Sequence, residues 1–174
     1  MASLLTKADI DRLFSLLDAD LAAHDVESEL YLVGGAVMCL VFESRASTKD
    51  VDAYFTPTTV VREAAARVAT RTGLAPDWLN DAVKGYLDPR GEFDPYLELP
   101  HLRVFVAHPR YLFALKCAAL RLGEEFHDVD DVRYLLRYLD IRSVDEALAI
   151  VTRYVAEDRL LPKTRLILEA LLTG

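Results

Sequence analysis

Asp50 and Asp52 flank a single valine in the stretch "STKDVDAYF". The segment otherwise reads as a β-strand, an environment that disfavours Asp. Side chains alternate between strand faces, so residues one apart share a face, about 6.6 Å apart at Cα. Two bare carboxylates so placed repel and raise one another's pKa, whereas a divalent ion draws them together. Hard oxygen ligands suit Mg²⁺ or Mn²⁺ rather than zinc. The simpler reading is a solvated strand end beside Lys49 and Arg45.

Gly34-Gly35 closes a short apolar run, "ELYLV", and precedes "AVMCLVFESR". A glycine pair between strand and helix lets backbone approach a phosphate closely, with amide N–H groups at the helix start. A glycine turn and a carboxylate pair together describe a site that holds a triphosphate through backbone amides and a carboxylate-bound metal. In-line nucleotidyl transfer uses that chemistry.

Fourteen residues separate Gly35 from Asp50. This arrangement resembles the nucleotidyltransferase superfamily, the polymerase-β-like fold, with a Gly-Gly or Gly-Ser pair after one strand and DxD or DxE on the next. It is most similar to the AbiEii-like (MenT-like) branch, whose motif reads GG…R.S.D.D; Arg45, Ser47, Asp50 and Asp52 match position by position. "PDWLNDAV" and "LLPKTR" resemble recurrent features of a related bacterial family of nucleotidyltransferases, and the likeness covers nearly the whole chain. It implies transfer of an NMP from an NTP to an acceptor. Asp50 and Asp52 would bind Mg²⁺ (or Mn²⁺), and the Gly34-Gly35 backbone, Ser47 and Lys49 would hold phosphates. It further implies a toxin-like role, with tRNA as acceptor and a neighbouring antitoxin protein as partner.

The C-terminal part adds "FALKCAALRLGEEFHDVDDV". Leu112, Lys116 and Leu120 recur at helical spacing, so Lys116 sits in an apolar row. It either snorkels its stem over the core edge or places its ammonium on a triphosphate. Asp128 and Asp131 share a face at a helix start, as caps or as groups that reach the site. Lys116, Arg121, Asp128 and Asp131 resemble the K…R…RD..D pattern of the same branch, with His127 where Arg is common. By elimination the acceptor's base falls on Asp128 or Asp131. Superfamily members often carry a third carboxylate on a later strand; "LRVFVA" has none, and Glu98 is a weak substitute. That gap supports an alternative, a catalytically degenerate nucleotide- or partner-binding module. A third reading, an aminoglycoside-type small-molecule nucleotidyltransferase, fits the acidic charge. In "PDWLNDAV", Trp78, Leu79 and Val83 read as core, while Asn80 and Asp81 can line the nucleotide pocket.

The frame that positions these residues is a globular chain of 174 residues, 52% hydrophobic and 28% charged, with net charge −8. The negative charge weakens any claim to a large nucleic-acid surface. No apolar run approaches a membrane span and the start does not read as a signal peptide, so a cytoplasmic chain is expected. Cys39 and Cys117 lie in apolar contexts and read as buried thiols. The four histidines show no metal spacing.

The expected elements are a helix over 7–24, a strand over 29–33, a buried helix over "AVMCLVFESR" and a strand over "STKDVDAYF". A helix over 58–72, closed by Gly73, and a short helix over "APDWLNDAVKGYL" follow. Residues 88–95 read as loop, and 96–107 as one or two strands broken at Pro100. Helices then fall at about 110–122, 128–139, 143–156 and 162–172. This is an α/β (α+β) class chain: a nucleotidyltransferase-like core with a small mixed sheet over 1–108, and a helical part over 109–174 packed on it as one unit.

Overall fold

Leu30 and Leu32 are fully buried on one face of a strand whose other face carries Glu29 and Tyr31, and this alternation seats the central strand of a sheet. The computed structural model describes residues 3–85, 87, 90–123 and 126–174. They fall into two compact units, residues 1–87 with 93–107, and 88–92 with 108–174.

The first unit opens with β1 (Leu5–Thr6) and α1 (Lys7–Ala23). Thr6 caps α1 through a reciprocal box. Its hydroxyl accepts from the Asp9 N–H at 3.2 Å, and Asp9 accepts from the Thr6 N–H at 2.9 Å. Next come β2 (Ser28–Val33), α2 (Gly35–Leu40), β3 (Ser47–Thr48), β4 (Val51–Thr56), α3 (Thr58–Thr72), β5 (Leu79–Asn80), β6 (Phe93–Glu98) and β7 (Leu102–Ala107). The main sheet runs β5-β4-β2-β7-β6, while β1 and β3 form a separate antiparallel pair. β2 pairs antiparallel with β4 and parallel with β7. The class is mixed α/β, as expected.

Ile10, Phe14, Leu17 and Leu21 of α1 and Val61, Ala64 and Val68 of α3 are fully buried. α1 and α3 are also joined by charge. Asp20 of α1, 5% exposed, accepts from Arg67 at 2.7 Å and from Arg71 at 2.8 Å, both on α3. Two guanidinium partners make the burial of that carboxylate tolerable. α3 ends at Gly73, whose φ of 73° is the left-handed terminator its sequence position calls for.

Several expected elements differ. "STKDVDAYF" is not one strand, because Ser47 and Thr48 pair with Thr6 and Leu5 in β1, and β4 begins only at Val51. The buried helix after Gly34 stops at Leu40, six residues long. "APDWLNDAVKGYL" is not a helix over its described residues. The Val51 N–H donates to the Trp78 carbonyl at 2.7 Å, Leu79–Asn80 then pairs parallel with β4, and a 3-10 turn follows over Ala82–Gly85. Sheet-edge pairing outweighs the local helical pattern there. Tyr86 of that stretch, and 88–89 of the expected loop, lie outside the described residues; β6 takes 93–95. Trp78 is core, 3% exposed, with its indole N–H donating to the Ala65 carbonyl at 3.0 Å.

The second unit holds α4 (Pro109–Ala118), α5 (Asp128–Tyr138), α6 (Val144–Tyr154) and α7 (Pro162–Thr173). Tyr111 and Tyr154 pack ring to ring at 5.1 Å in its core, and the Thr164 hydroxyl donates to the Cys117 carbonyl at 3.1 Å. α4 ends four residues short of its expected end. The Arg121 N–H donates to the Asp128 carboxylate at 3.0 Å, which ties Arg121 to the start of α5. Both cysteines are buried and outside any disulfide, and burial pushes the Cys117 thiol pKa up. His24, His101 and His108 contact neighbouring backbone atoms, in keeping with structural roles. No helix among the described residues is long and apolar enough to cross a membrane.

Candidate functional site

β2 ends at Val33, whose partner across the sheet is Asp52 of β4. The chain then turns through Gly34 at φ 71°, ψ −153°, a conformation that L side chains rarely adopt. A Cβ on Gly34 would stand 3.1 Å from the Asp52 Oδ2. The carboxylate therefore faces the turn at the distance a side chain would fill. At Gly35 a Cβ would lie 2.6 Å from an Arg45 guanidinium nitrogen and 2.9 Å from the Thr48 hydroxyl. The glycine pair is thus bounded by one carboxylate, one guanidinium and one hydroxyl.

Asn80 is the register partner of Asp52 on the other side of β4. Paired residues share a sheet face, so Asn80 stands beside the carboxylate. Asp81 points into other company, with Arg62 at 2.9 Å and Lys84 at 3.9 Å. It is held by cations of its own neighbourhood.

Asp50 precedes β4 and, with Lys49, borders a groove of about 420 Å³ walled by Leu74 and Trp78. Asp50 and Asp52 are both half-buried. The expectation of two aspartates on one continuous strand is corrected, since only Asp52 lies within β4. Ser47 is half-buried in β3 opposite Thr6, and Lys49 is exposed.

Lys116, Asp128 and Asp131 come together in the helical unit. The Lys116 ammonium lies 2.7 Å from Asp131 and 3.6 Å from Asp128, and the three residues are 8%, 3% and 3% exposed in the order Lys116, Asp128, Asp131. Asp128 also accepts from the Arg121 guanidinium at 2.8 Å, and that guanidinium stacks 4.4 Å from the Phe126 ring centroid. Burial pushes the Asp128 carboxyl pKa up, but hydrogen bonds from Arg121 and the charge of Lys116 outweigh it and hold the group below the usual carboxylate range. A carboxylate held in its ionised form is a poorer proton acceptor than an ordinary one.

Glu98 does not supply a third carboxylate for Asp52. It ends β6 opposite Arg103, which pairs with Glu29 at the far end of β2 from Val33, about 13 Å along the strand. Arg45, noted as a motif match and as a neighbour of the strand end, and Thr48, not singled out at all, are the residues the fold adds at the glycine turn. The R.S.D.D spacing was the available signal for Arg45; Thr48 had none.

Comparison of the chain with protein-family models, with curated proteins and with solved structures finds no match.

Proposed function

We propose that the chain is a metal-dependent nucleotidyltransferase. An acceptor hydroxyl attacks the α-phosphorus of an NTP, the bond to the β-phosphate breaks, and pyrophosphate leaves. The reading is carried by the meeting of Gly34, in a conformation reserved for glycine, with the Asp52 carboxylate across the β2–β4 pair. Backbone with no side chain, facing a carboxylate and flanked by Arg45 and Thr48, suits a phosphate with its counter-ion. Asp52 and Asp50 would hold Mg²⁺ or Mn²⁺, which supplies charge neutralisation at the phosphates.

Among the described residues no group of three or more His, Cys, Asp or Glu is placed to hold a metal ion. Two carboxylates completed by phosphate oxygens and water remain a normal Mg²⁺ arrangement. Arg45 takes the phosphate-facing role first expected of Lys116. The acceptor follows from the family resemblance alone: tRNA, with an antitoxin protein as partner.

The test is incubation with each α-labelled NTP, Mg²⁺ and a tRNA pool, following label transfer and pyrophosphate. Transfer that disappears in Asp52→Asn supports the reading; label-free acceptors and no pyrophosphate with any NTP refute it.

A second reading, a nucleotide-binding module without transfer, is favoured by the closed Lys116–Asp128–Asp131 network, which offers no free base. Saturable NTP binding without pyrophosphate release would establish it.

A further inference from the structure

We infer that the helical unit carries a docking groove for an acidic amphipathic helix of a partner protein, between the C-terminal half of α5 and the end of α7. The groove measures about 590 Å³. Its lining residues belong to α5, to the turn after it and to the end of α7, all within one unit. The inference is independent of the nucleotide reading.

The charge of the groove runs against that of the chain. The net charge is −8, yet the lining includes three arginines, Arg133, Arg137 and Arg142, and one acid, Asp140. Arg133 and Arg137 stand at i and i+4 on α5, so the helix repeat places them side by side. Among the described residues the Arg137 guanidinium has no ion pair or hydrogen bond. Arg133 holds Asp130 at 2.7 Å and Arg142 holds Asp140 at 2.9 Å, with no side chain of either pair less than 44% exposed. Pairs so exposed add little stability, so carboxylates of a guest can replace the two aspartates.

Between the guanidiniums the surface is apolar. Leu136 and Ile141 form the floor, 4% and 7% exposed, and Leu171 and Leu172 of α7 add a half-buried wall.

An apolar strip fringed by guanidiniums fits a guest with apolar side chains in its middle and carboxylates beside them. The planar fork of arginine matches a carboxylate with two parallel hydrogen bonds. A fatty carboxylate would answer one guanidinium and leave two. A nucleic-acid backbone would answer all three but set phosphate and sugar against the leucines. A helix with apolar residues at i, i+3 and i+4 and Glu or Asp next to them meets both demands, in helix-in-groove fashion. The described residues of this unit form no strand, so no sheet edge is there to take up an extended peptide.

The test uses the full chain without nucleotide, at about physiological ionic strength, where loosely held counter-ions are screened. The probe is a capped synthetic helical peptide with Leu at i, i+3, i+4 and i+7 and Glu at the flanking positions, and backbone amide shifts are followed by NMR. Saturable shifts confined to residues 133–142 and 171–174 are expected. The same peptide with Lys for every Glu, or with Ser for every Leu, should produce none. Arg133→Gln with Arg137→Gln, both exposed and so compatible with folding, should weaken binding tenfold or more. Arg159→Gln with Arg165→Gln, exposed arginines of the same unit outside the groove, should bind the peptide like the parent. No saturable shift with the Glu peptide, equal binding of the Lys or Ser peptide, saturation of the same residues by oligouridylate, or an unaffected Arg133/Arg137 double variant would each overturn the inference.

Discussion

The ammonium of Lys116 sits 2.7 Å from the carboxylate of Asp131, with both side chains under a tenth exposed. An apolar row on α4 delivers the lysine to the interior, and the first turn of α5 meets it with Asp128 and Asp131. Within its unit the charge of Lys116 joins α4 to the first turn of α5.

Lys116→Met keeps the stem but removes the cation beside two buried carboxylates, Asp131 at 2.7 Å and Asp128, which Arg121 still holds. On its own the sequence suggests a small loss, as for a snorkelling lysine. Breaking a buried ion pair by removing one partner instead costs about 3–5 kcal/mol. Urea denaturation should show that loss, with much of it recovered on adding Asp131→Asn. A loss below about 0.5 kcal/mol, the range of ordinary surface changes, would return the lysine to the surface reading.

Asp128 links stability to pH with a definite sign. Its folded-state pKa is depressed, so its contribution is present above the unfolded carboxylate value near 4 and fades as pH falls through the folded value. The stability gap between the parent and Asp128→Asn should therefore be constant from pH 7 down to about 5 and shrink below about 4. A gap that widens on acidification would contradict the Arg121 and Lys116 contacts.

The two glycines should respond differently. Gly34→Ala forces a Cβ onto a positive-φ, extended-ψ backbone that is essentially reserved for glycine, at about 1–3 kcal/mol, and against Asp52. Gly35→Ala meets mainly the tip of the Arg45 side chain, which can swing, and the Thr48 hydroxyl. Thermal melts should fall clearly for the first and less for the second. Calorimetry should nevertheless show weakened triphosphate binding for both if the turn holds phosphate.

Metal dependence tests the carboxylates. The part of NTP-induced thermal stabilisation that EDTA removes should vanish in Asp52→Asn, which lies against the turn. Asp50→Asn should give the same loss if both aspartates share the ion. Loss in Asp52→Asn alone would place Asp50 with the groove that it borders.

Periodicity carried much of this architecture. The apolar spacing in α1, the Gly73 stop after α3 and the alternation in β2 are local signals, and local physics honours them. Trp78 to Asn80 follow a helical pattern yet become a sheet edge, because the open backbone of Val51 takes the Trp78 carbonyl. α4 stops at Ala118, and the Asp128 carboxylate takes the Arg121 N–H, a side-chain contact that apolar periodicity does not encode. The site divides in the same way. Spacing brought Gly34 and Asp52 to attention, and pairing puts them face to face. Asn80 was named on a helix and stands beside Asp52 from a strand. Thr48 reaches Gly35 only because β3 pairs with β1.

β2 works as a ruler for everything at its two ends. Five residues, Glu29 to Val33, lie between Ser28 and the Gly34 turn, and each is clasped by β4, by β7 or by both. Because strand side chains alternate, one residue inserted or deleted within 28–33 would push Leu30 and Leu32 to solvent and draw Glu29 and Tyr31 into the core. The length of this strand is therefore frozen, while the 99–101 turn can lengthen without disturbing the pairing. Diversification of such a scaffold, by evolution or by engineering, has its freedom in that turn rather than in the chain between α2 and β3, which carries Arg45 to Gly35.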